Sequence, residues 1–399
     1  HLYLVFLPII IGIIGLLTVK DREQIGPFTL DHLAWLMGSF ILVLGFIIQK
    51  FSARYLIGDR NYRKYFPLFT LITSFASVAW LSGDLRLMVL FWGATLLSLT
   101  LLIRVNRSWK IPHEAAKISG KSFALGWFAL LVAVVLLFVS TGDWHINIAS
   151  SYDNTINSGM KFIIDILIVI AVIVPAAQFP FQSWLIESVA APTPVSAIMH
   201  AGIVNAGGII LTRFSPVFDN SFAITILLII ASVSVLLGSG ISLVHVDYKR
   251  QLVGSTMSQM GFMLVQCALG VYSAAIIHLI LHGVFKATLF LQSGSVVKRF
   301  NIPTPPSAKR SYSWVVLGRL LAIVIAVAFW LNSDRSPYEI ISALILAWSL
   351  MVSWNQMVAF SRGLIGRVVG VMMIVIVAIV YIITHHYFCL LYTSDAADE

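Results

Sequence analysis

Along this chain, runs of mostly apolar residues follow one another with only short polar breaks. About 20 such residues in a row are what a helix needs to cross the hydrocarbon core of a bilayer. About thirteen runs meet that rule. They lie near Tyr3–Thr18, Leu30–Gln49, Tyr65–Ser82, Leu87–Ile103, Ser122–Ser140, Lys161–Ala177, Pro194–Thr212, Phe222–Val244, Gln251–Leu269, Ala274–Val297, Trp314–Leu331, Tyr338–Phe360 and Val368–His385. Each is expected to be a helix, because a membrane strand needs alternating polarity that these runs lack. Composition agrees. Of 399 residues only 11% are charged and 59% are hydrophobic, against roughly 25% charged in a soluble domain. So little charge cannot coat a soluble protein of this length, and disorder needs the opposite balance. Two cysteines exclude a disulfide scaffold. The expected fold class is an all-α polytopic membrane protein.

The net charge of +9 does not point to nucleic acid, because the basic residues sit at the ends of apolar runs rather than in one patch. Loops after even-numbered runs hold Lys50, Arg54, Arg60, Arg63, Lys64, Arg104, Arg107, Lys110, Lys117, Lys121, Lys249, Arg250, Lys298, Arg299, Lys309, Arg310, Arg362 and Arg367. Loops after odd-numbered runs hold only Lys20, Arg22, Arg86, Lys161, Arg213 and Arg335. The even loops are therefore expected to be cytoplasmic. His1 stands where a Met would begin a chain, and a run starts within three residues; the polar stretch Tyr392–Glu399 follows directly on an apolar run. These features mark a fragment: residues 1–391 are expected to form a single transmembrane domain, and 392–399 a non-native tail.

Within membrane helices the informative residues are the ionisable ones, since each costs from about 2.5 kcal/mol upward at the bilayer centre. His278, His282 and Lys286 are spaced i, i+4, i+8 and so share one helix face, about 6 Å apart per step. A row of such groups is the outline of a proton relay. Two other readings compete. The histidines can hold a metal, which Lys286 on the same face would repel, or they can simply satisfy neighbouring helices.

Upstream, Pro175, Pro180, Pro192 and Pro194 punctuate the stretch that contains Gln182-Ser-Trp-Leu-Ile-Glu187. Proline breaks the helical ladder, so the sixth run is expected to be discontinuous, as at ion sites inside membranes. His200, six residues into the next run, is either part of a buried polar path or a packing histidine. Asp247, Lys249 and Arg250 open the ninth run as path residues or as an interfacial cap. Ser255, Thr256, Ser258 and Gln259 then make its start polar. Asp165 lies four residues after Lys161, and an i, i+4 ion pair explains it most simply. Arg319 is near enough to an end to snorkel.

Several of these segments carry a family resemblance. Ala191-Pro-Thr-Pro-Val-Ser-Ala-Ile-Met-His-Ala201 after Gln182-Ser-Trp-Leu resembles the hallmark segment of the proton-pumping antiporter-like superfamily. That superfamily includes the large distal subunit of respiratory complex I (NuoL) and the Mrp sodium/proton antiporters. Asp247-Tyr-Lys-Arg-Gln-Leu, Ser255-Thr-Met-Ser-Gln-Met-Gly261 and His278…His282…Lys286-Ala…Ser293-Gly-Ser295 match its later motifs in order. Arg54-Tyr-Leu-Ile-Gly-Asp59 matches an earlier one. The resemblance spans residues 30 to 297, with diverged C-terminal helices over 298–391. It implies an antiporter-like bundle with inverted repeats and discontinuous helices, and a buried polar axis of His200, His278, His282 and Lys286.

Two departures stand out. Gly93 occupies the place of the family's glutamate after a Trp, and Pro175 that of its lysine before Ala-Gln-x-Pro. Neither can titrate, and Asp165 and Glu187 remain as carboxylates available to stand in. Among the branches, the loss fits the membrane subunit (DabB-type) of two-part inorganic-carbon transporters. That resemblance implies a transport subunit that is not itself an enzyme and a large soluble DabA-type partner on the cytoplasmic side. It also implies zinc on the partner rather than here, and the bacterial inner membrane. A NuoL-like or Mrp-like pump subunit and a non-conducting scaffold are the alternatives.

Overall fold

Side chains set the helix ends in this chain. The computed structural model describes residues 6–18, 23–106, 110–145, 156–293 and 312–331, with single positions between 340 and 379. It divides into two compact units, His1–Val297 and Lys298–Glu399. In the first, α1 (Phe6–Thr18) precedes a hairpin of β1 (Glu23–Ile25) and β2 (Phe28–Leu30), which the apolar runs do not announce. Gly26 takes the positive φ of 59° that its turn requires. Then come α2 (His32–Tyr55), α3 (Tyr62–Leu81), α4 (Leu85–Ile103), α5 (Lys110–Thr141) and α6 (Ser158–Ile173). After the prolines follow α7 (Ser183–Glu187), α8 (Thr193–Ala201), α9 (Ala206–Arg213), α10 (Ser221–Val244), α11 (Tyr248–Ala268) and α12 (Tyr272–Gln292). Asp31, Asp84, Asn157, Asn220 and Asp247 each accept a backbone N–H at the start of their helix.

Seven described segments are long and apolar enough to cross a membrane: α2, α4, α5, α8 with α9, α10, α12 and the α13 helix (Tyr312–Leu331). They do not make up the expected thirteen. α1 and α6 have 13 and 16 residues, and α3 and α11 are more polar. The runs Tyr338–Phe360 and Val368–His385 lie outside the described residues apart from isolated positions, and the 392–399 tail lies wholly outside them. So do Lys20, Arg22, Arg107, Lys298, Arg299, Lys309, Arg310, Arg335, Arg362 and Arg367.

The sixth run is discontinuous. α6 stops at Ile173, short of the expected Ala177, and Ala177 sits at φ 53°, a conformation a side chain rarely adopts. The freed backbone groups find side-chain partners, as membrane depth demands. Trp184 Nε1 donates to Val174 O at 2.8 Å, Phe179 N to Ser234 Oγ of α10 at 2.9 Å, and Gln178 Nε2 to Ala176 O at 2.7 Å. The seventh run is discontinuous as well. It breaks between α8 and α9 at Gly202, and Asn205 Nδ2 donates to the freed Ala201 carbonyl at 2.7 Å. Nearly all of α8 and α9 is buried, so this broken helix is the centre of the unit.

In the second unit, Ala322, Leu350 and Trp354 form a small core, and Trp354 Nε1 donates to Trp314 O at 2.7 Å. Arg319 is exposed on α13.

Candidate functional site

α12 packs against α8, the broken helix, and against α11. The close approach depends on Gly283, where a Cβ would lie 2.8 Å from Ala201 O and press on the Phe40 ring. This contact carries the histidine row into the centre. Lys286 is fully buried and His282 nearly so. Lys286 Nζ donates to the Leu252 carbonyl of α11 at 3.0 Å.

His200 on α8 reaches the same carbonyl through one intermediate. Its Nδ1 lies 3.1 Å from Thr256 Oγ1, and the Thr256 hydroxyl donates to Leu252 O at 2.9 Å. Because that hydroxyl proton is committed to Leu252, His200 Nδ1 is the donor and Nε2 is left as the acceptor. The His200 ring also stacks on Phe290 of α12, with centroids 4.3 Å apart. His282 comes next in the row. Its Nε2 is buried without a hydrogen-bond partner, and its ring stands 6.1 Å from that of His278. His278 is bracketed by two glutamines of α11: Nδ1 is 3.0 Å from Gln266 Oε1, and Nε2 is 2.9 Å from Gln259 Oε1. With both oxygens turned inward the ring holds two protons; with one proton, an amide must turn to present its NH2.

Further buried polar atoms lack partners near the two breaks: Gln178 Oε1, Gln182 Oε1, Ser196 Oγ and Asn205 Oδ1. A buried polar atom is costly unless satisfied, and water is the usual partner. The breaks are thus lined by groups that suit a hydrated path.

The structure thus brings together His200, His278, His282 and Lys286. The other expected residues lie outside this group, although Lys249 is within electrostatic range of His200. Asp247 is exposed and caps α11, accepting the Arg250 N–H at 2.9 Å. Lys249 Nζ donates to Ala191 O at 3.2 Å and ties α11 to the segment ahead of α8. Ser258 pairs with Ser239 of α10 at 2.9 Å, on another face. Glu187 is exposed at the end of α7. Asp165 corrects the sequence reading, because Lys161 binds Asp219 at 2.6 Å while Asp165 Oδ2 accepts Asn220 N–H at 2.9 Å. Arg213, read above as a loop charge, is buried. It forms an ion pair with Asp31 at the start of α2 and donates to Trp80 O at 3.0 Å. Gln266 and the Leu252 carbonyl were not singled out. The first is an ordinary polar residue late in an apolar run, and a carbonyl has no signature in sequence.

The two departures have a physical account. A Cβ at Gly93 would collide with the Trp127 indole, whose Nε1 donates to Val89 O at 2.8 Å. The indole fills the space a glutamate would need. Pro175 packs toward Gly126. Among the described residues no group of three His, Cys, Asp or Glu side chains is placed to hold a metal.

Comparison with known proteins now decides the family. The profile described as NADH:quinone oxidoreductase/Mrp antiporter, TM matches residues 82–370. A probable inorganic carbon transporter subunit DabB of Bacillus subtilis (strain 168) is 59% identical over 97% of this chain and 77% of its own length. The chain belongs to the NADH:quinone oxidoreductase/Mrp antiporter family, in its DabB branch. The DabB subunit of Bacillus anthracis is 54% identical over 97% of this chain and 76% of its own. A chain of the membrane-bound sulfane sulfur reductase, an archaeal respiratory membrane complex, shares the fold, with a TM-score of 0.69 at 18% identity over 99% of this chain and 91% of that one.

Proposed function

We propose that this chain is the membrane subunit of a two-part inorganic-carbon uptake complex and that it carries protons along α12. Lys286, His282 and His278 pass the proton along one face, and His200 joins them through Thr256. The observation that carries this reading is the set of ionisable side chains gathered at the broken helix, with Lys286, His200 and His282 buried and His278 half-buried. Each would be costly to keep in lipid without a use. The 59% identity to a DabB subunit supports the transported species, inorganic carbon. Gly93 and Pro175 weigh against a pump of the complex I or Mrp kind, since neither can serve as a charged switch. The partner in this reading is a large soluble DabA-type subunit on the cytoplasmic side of the bacterial inner membrane. Proton flow biases conversion of carbon dioxide to bicarbonate there, on the partner's zinc.

The test has two parts. The complete protein, purified in mild detergent, is expected to bring down one large soluble subunit with stoichiometric zinc. In vesicles holding that complex, Lys286→Ala is expected to abolish pH-gradient dissipation while leaving assembly intact; undiminished flux would sink the relay.

A further inference from the structure

The row runs from the fully buried Lys286 to the half-buried His278, whose Nε2 meets the exposed Gln259. Toward the end of the bundle away from the basic loops, beside Asn220 at the start of α10, lies Asp165. Among the described residues it is the one carboxylate buried within a helix, with no exposed surface. Its Oδ2 accepts the Asn220 N–H, and its Oδ1 is buried without a hydrogen-bond partner. An interior tolerates such an oxygen when it carries a proton or meets water. The ionisable groups facing it are few. Lys161 on its own helix is bound to Asp219, which lies just before α10. Tyr272 of α12 is within electrostatic range. Of the helices packed on α6, α10 has no titratable residue and α9 has only Arg213, which is paired with Asp31. Those of α5 lie in its first twelve residues, at the far end.

We propose that Asp165 is a proton-exchange carboxylate near the outer end of the bundle, serving the path of α12. The inference rests on the proton-path reading above. Asp165 Oδ1 takes up a proton and gives it back, and no other bond changes. Gly93 and Pro175 leave α4 and the first break without an acid, and Asp165 supplies one from a different place.

The experiment uses the complete protein with its partner in membrane vesicles. Dicyclohexylcarbodiimide, which adds to protonated carboxyls in apolar surroundings, is applied over a range of pH, and peptides are mapped by mass spectrometry. The adduct is expected on Asp165, declining as pH rises, and absent in Asp165→Asn. Proton flux is expected to fall at least tenfold in Asp165→Asn and to recover in part in Asp165→Glu. The Asn variant keeps an oxygen for the Asn220 N–H, so folding is expected to hold; the carbodiimide map and the Glu variant decide if it does not. No adduct on Asp165 at any pH overturns the assignment, and so does full flux in Asp165→Asn. If Lys286→Ala loses flux while Asp165→Asn does not, Asp165 falls and the path stands. Full flux in both variants overturns both.

Discussion

Lys286 of α12 and Thr256 of α11 donate to the same oxygen, the carbonyl of Leu252. Through Thr256 this joins His200 of the broken helix to the lysine of α12. The oxygen belongs to the first half of α11, so its own helix also needs it. Three demands on one acceptor leave the lysine held by a single shared contact, which suits a group that must let go of a proton.

A lysine held this way does little for stability. A buried charge is costly to desolvate, and Lys286 has no counter-charge that its removal would strand. Lys286→Met is therefore expected to keep or raise the melting temperature in detergent while lowering proton flux at least tenfold. A melting temperature that drops with flux would mark Lys286 as structural.

Thr256 is expected to act as a positioning residue. Thr256→Val keeps the shape and removes the hydroxyl, leaving His200 Nδ1 without its acceptor, at a cost of about 1–3 kcal/mol. Flux is expected to fall several-fold and to return in Thr256→Ser. Equal flux in the Val and Ser variants would remove the hydroxyl from the path.

Gly283 sets the spacing of α12 against α8. Gly283→Ala drives a methyl toward Ala201 O and the Phe40 ring. Overpacking of this kind costs about 1–3 kcal/mol. The expected result is a lower melting temperature together with reduced flux, because the whole histidine row shifts away from His200.

Breaking the Arg213–Asp31 pair is expected to cost more than any of these. Removing one partner of a buried ion pair leaves the other uncompensated, at about 3–5 kcal/mol. Arg213→Ala is expected to assemble poorly. Arg213→Met combined with Asp31→Asn is expected to recover much of the loss, since an asparagine at the start of α2 still accepts the capping N–H. Thermal denaturation of the wild type and both variants checks this.

Outside the membrane segments, Arg86 hydrogen-bonds Asp84 and holds its carboxyl below the usual carboxylate range. A depressed carboxyl contributes stability that is fully present above its unfolded value and is lost as pH falls through the folded one. Asp84→Asn is therefore expected to lower the melting temperature at pH 7, with the gap closing only well into the acid range, below about pH 4. A gap that widens on acidification would contradict the assignment.

Much of this protein was legible before any fold. Eleven of the runs contain described helices, because lipid forces a backbone to pair within itself, and seven of these segments are long and apolar enough to span. Proline marked the first break, since its missing N–H cannot continue a ladder. The cost of charge in lipid singled out His278, His282 and Lys286, and the 3.6-residue period put them on one face. The resemblance implied more than one broken helix, but the residues did not locate the second break, because Gly202 and Asn205 are ordinary residues in an apolar run. Asp165 was misassigned because spacing finds the neighbour on the same helix, whereas Lys161 found Asp219, 58 residues on.

The surrounding lipid, the helices and the row are readable from residue order, because each depends on local spacing and transfer cost. What the row meets comes from the packing of distant helices: the Leu252 carbonyl, the glutamines around His278, the indole in place of an acid at Gly93, and the unpartnered oxygen of Asp165. Backbone carbonyls and side-chain partners from distant helices leave no period in a sequence. Hydrogen bonds of this kind are set by which helices pack together, and that is fixed by the shape of whole faces rather than by any short motif.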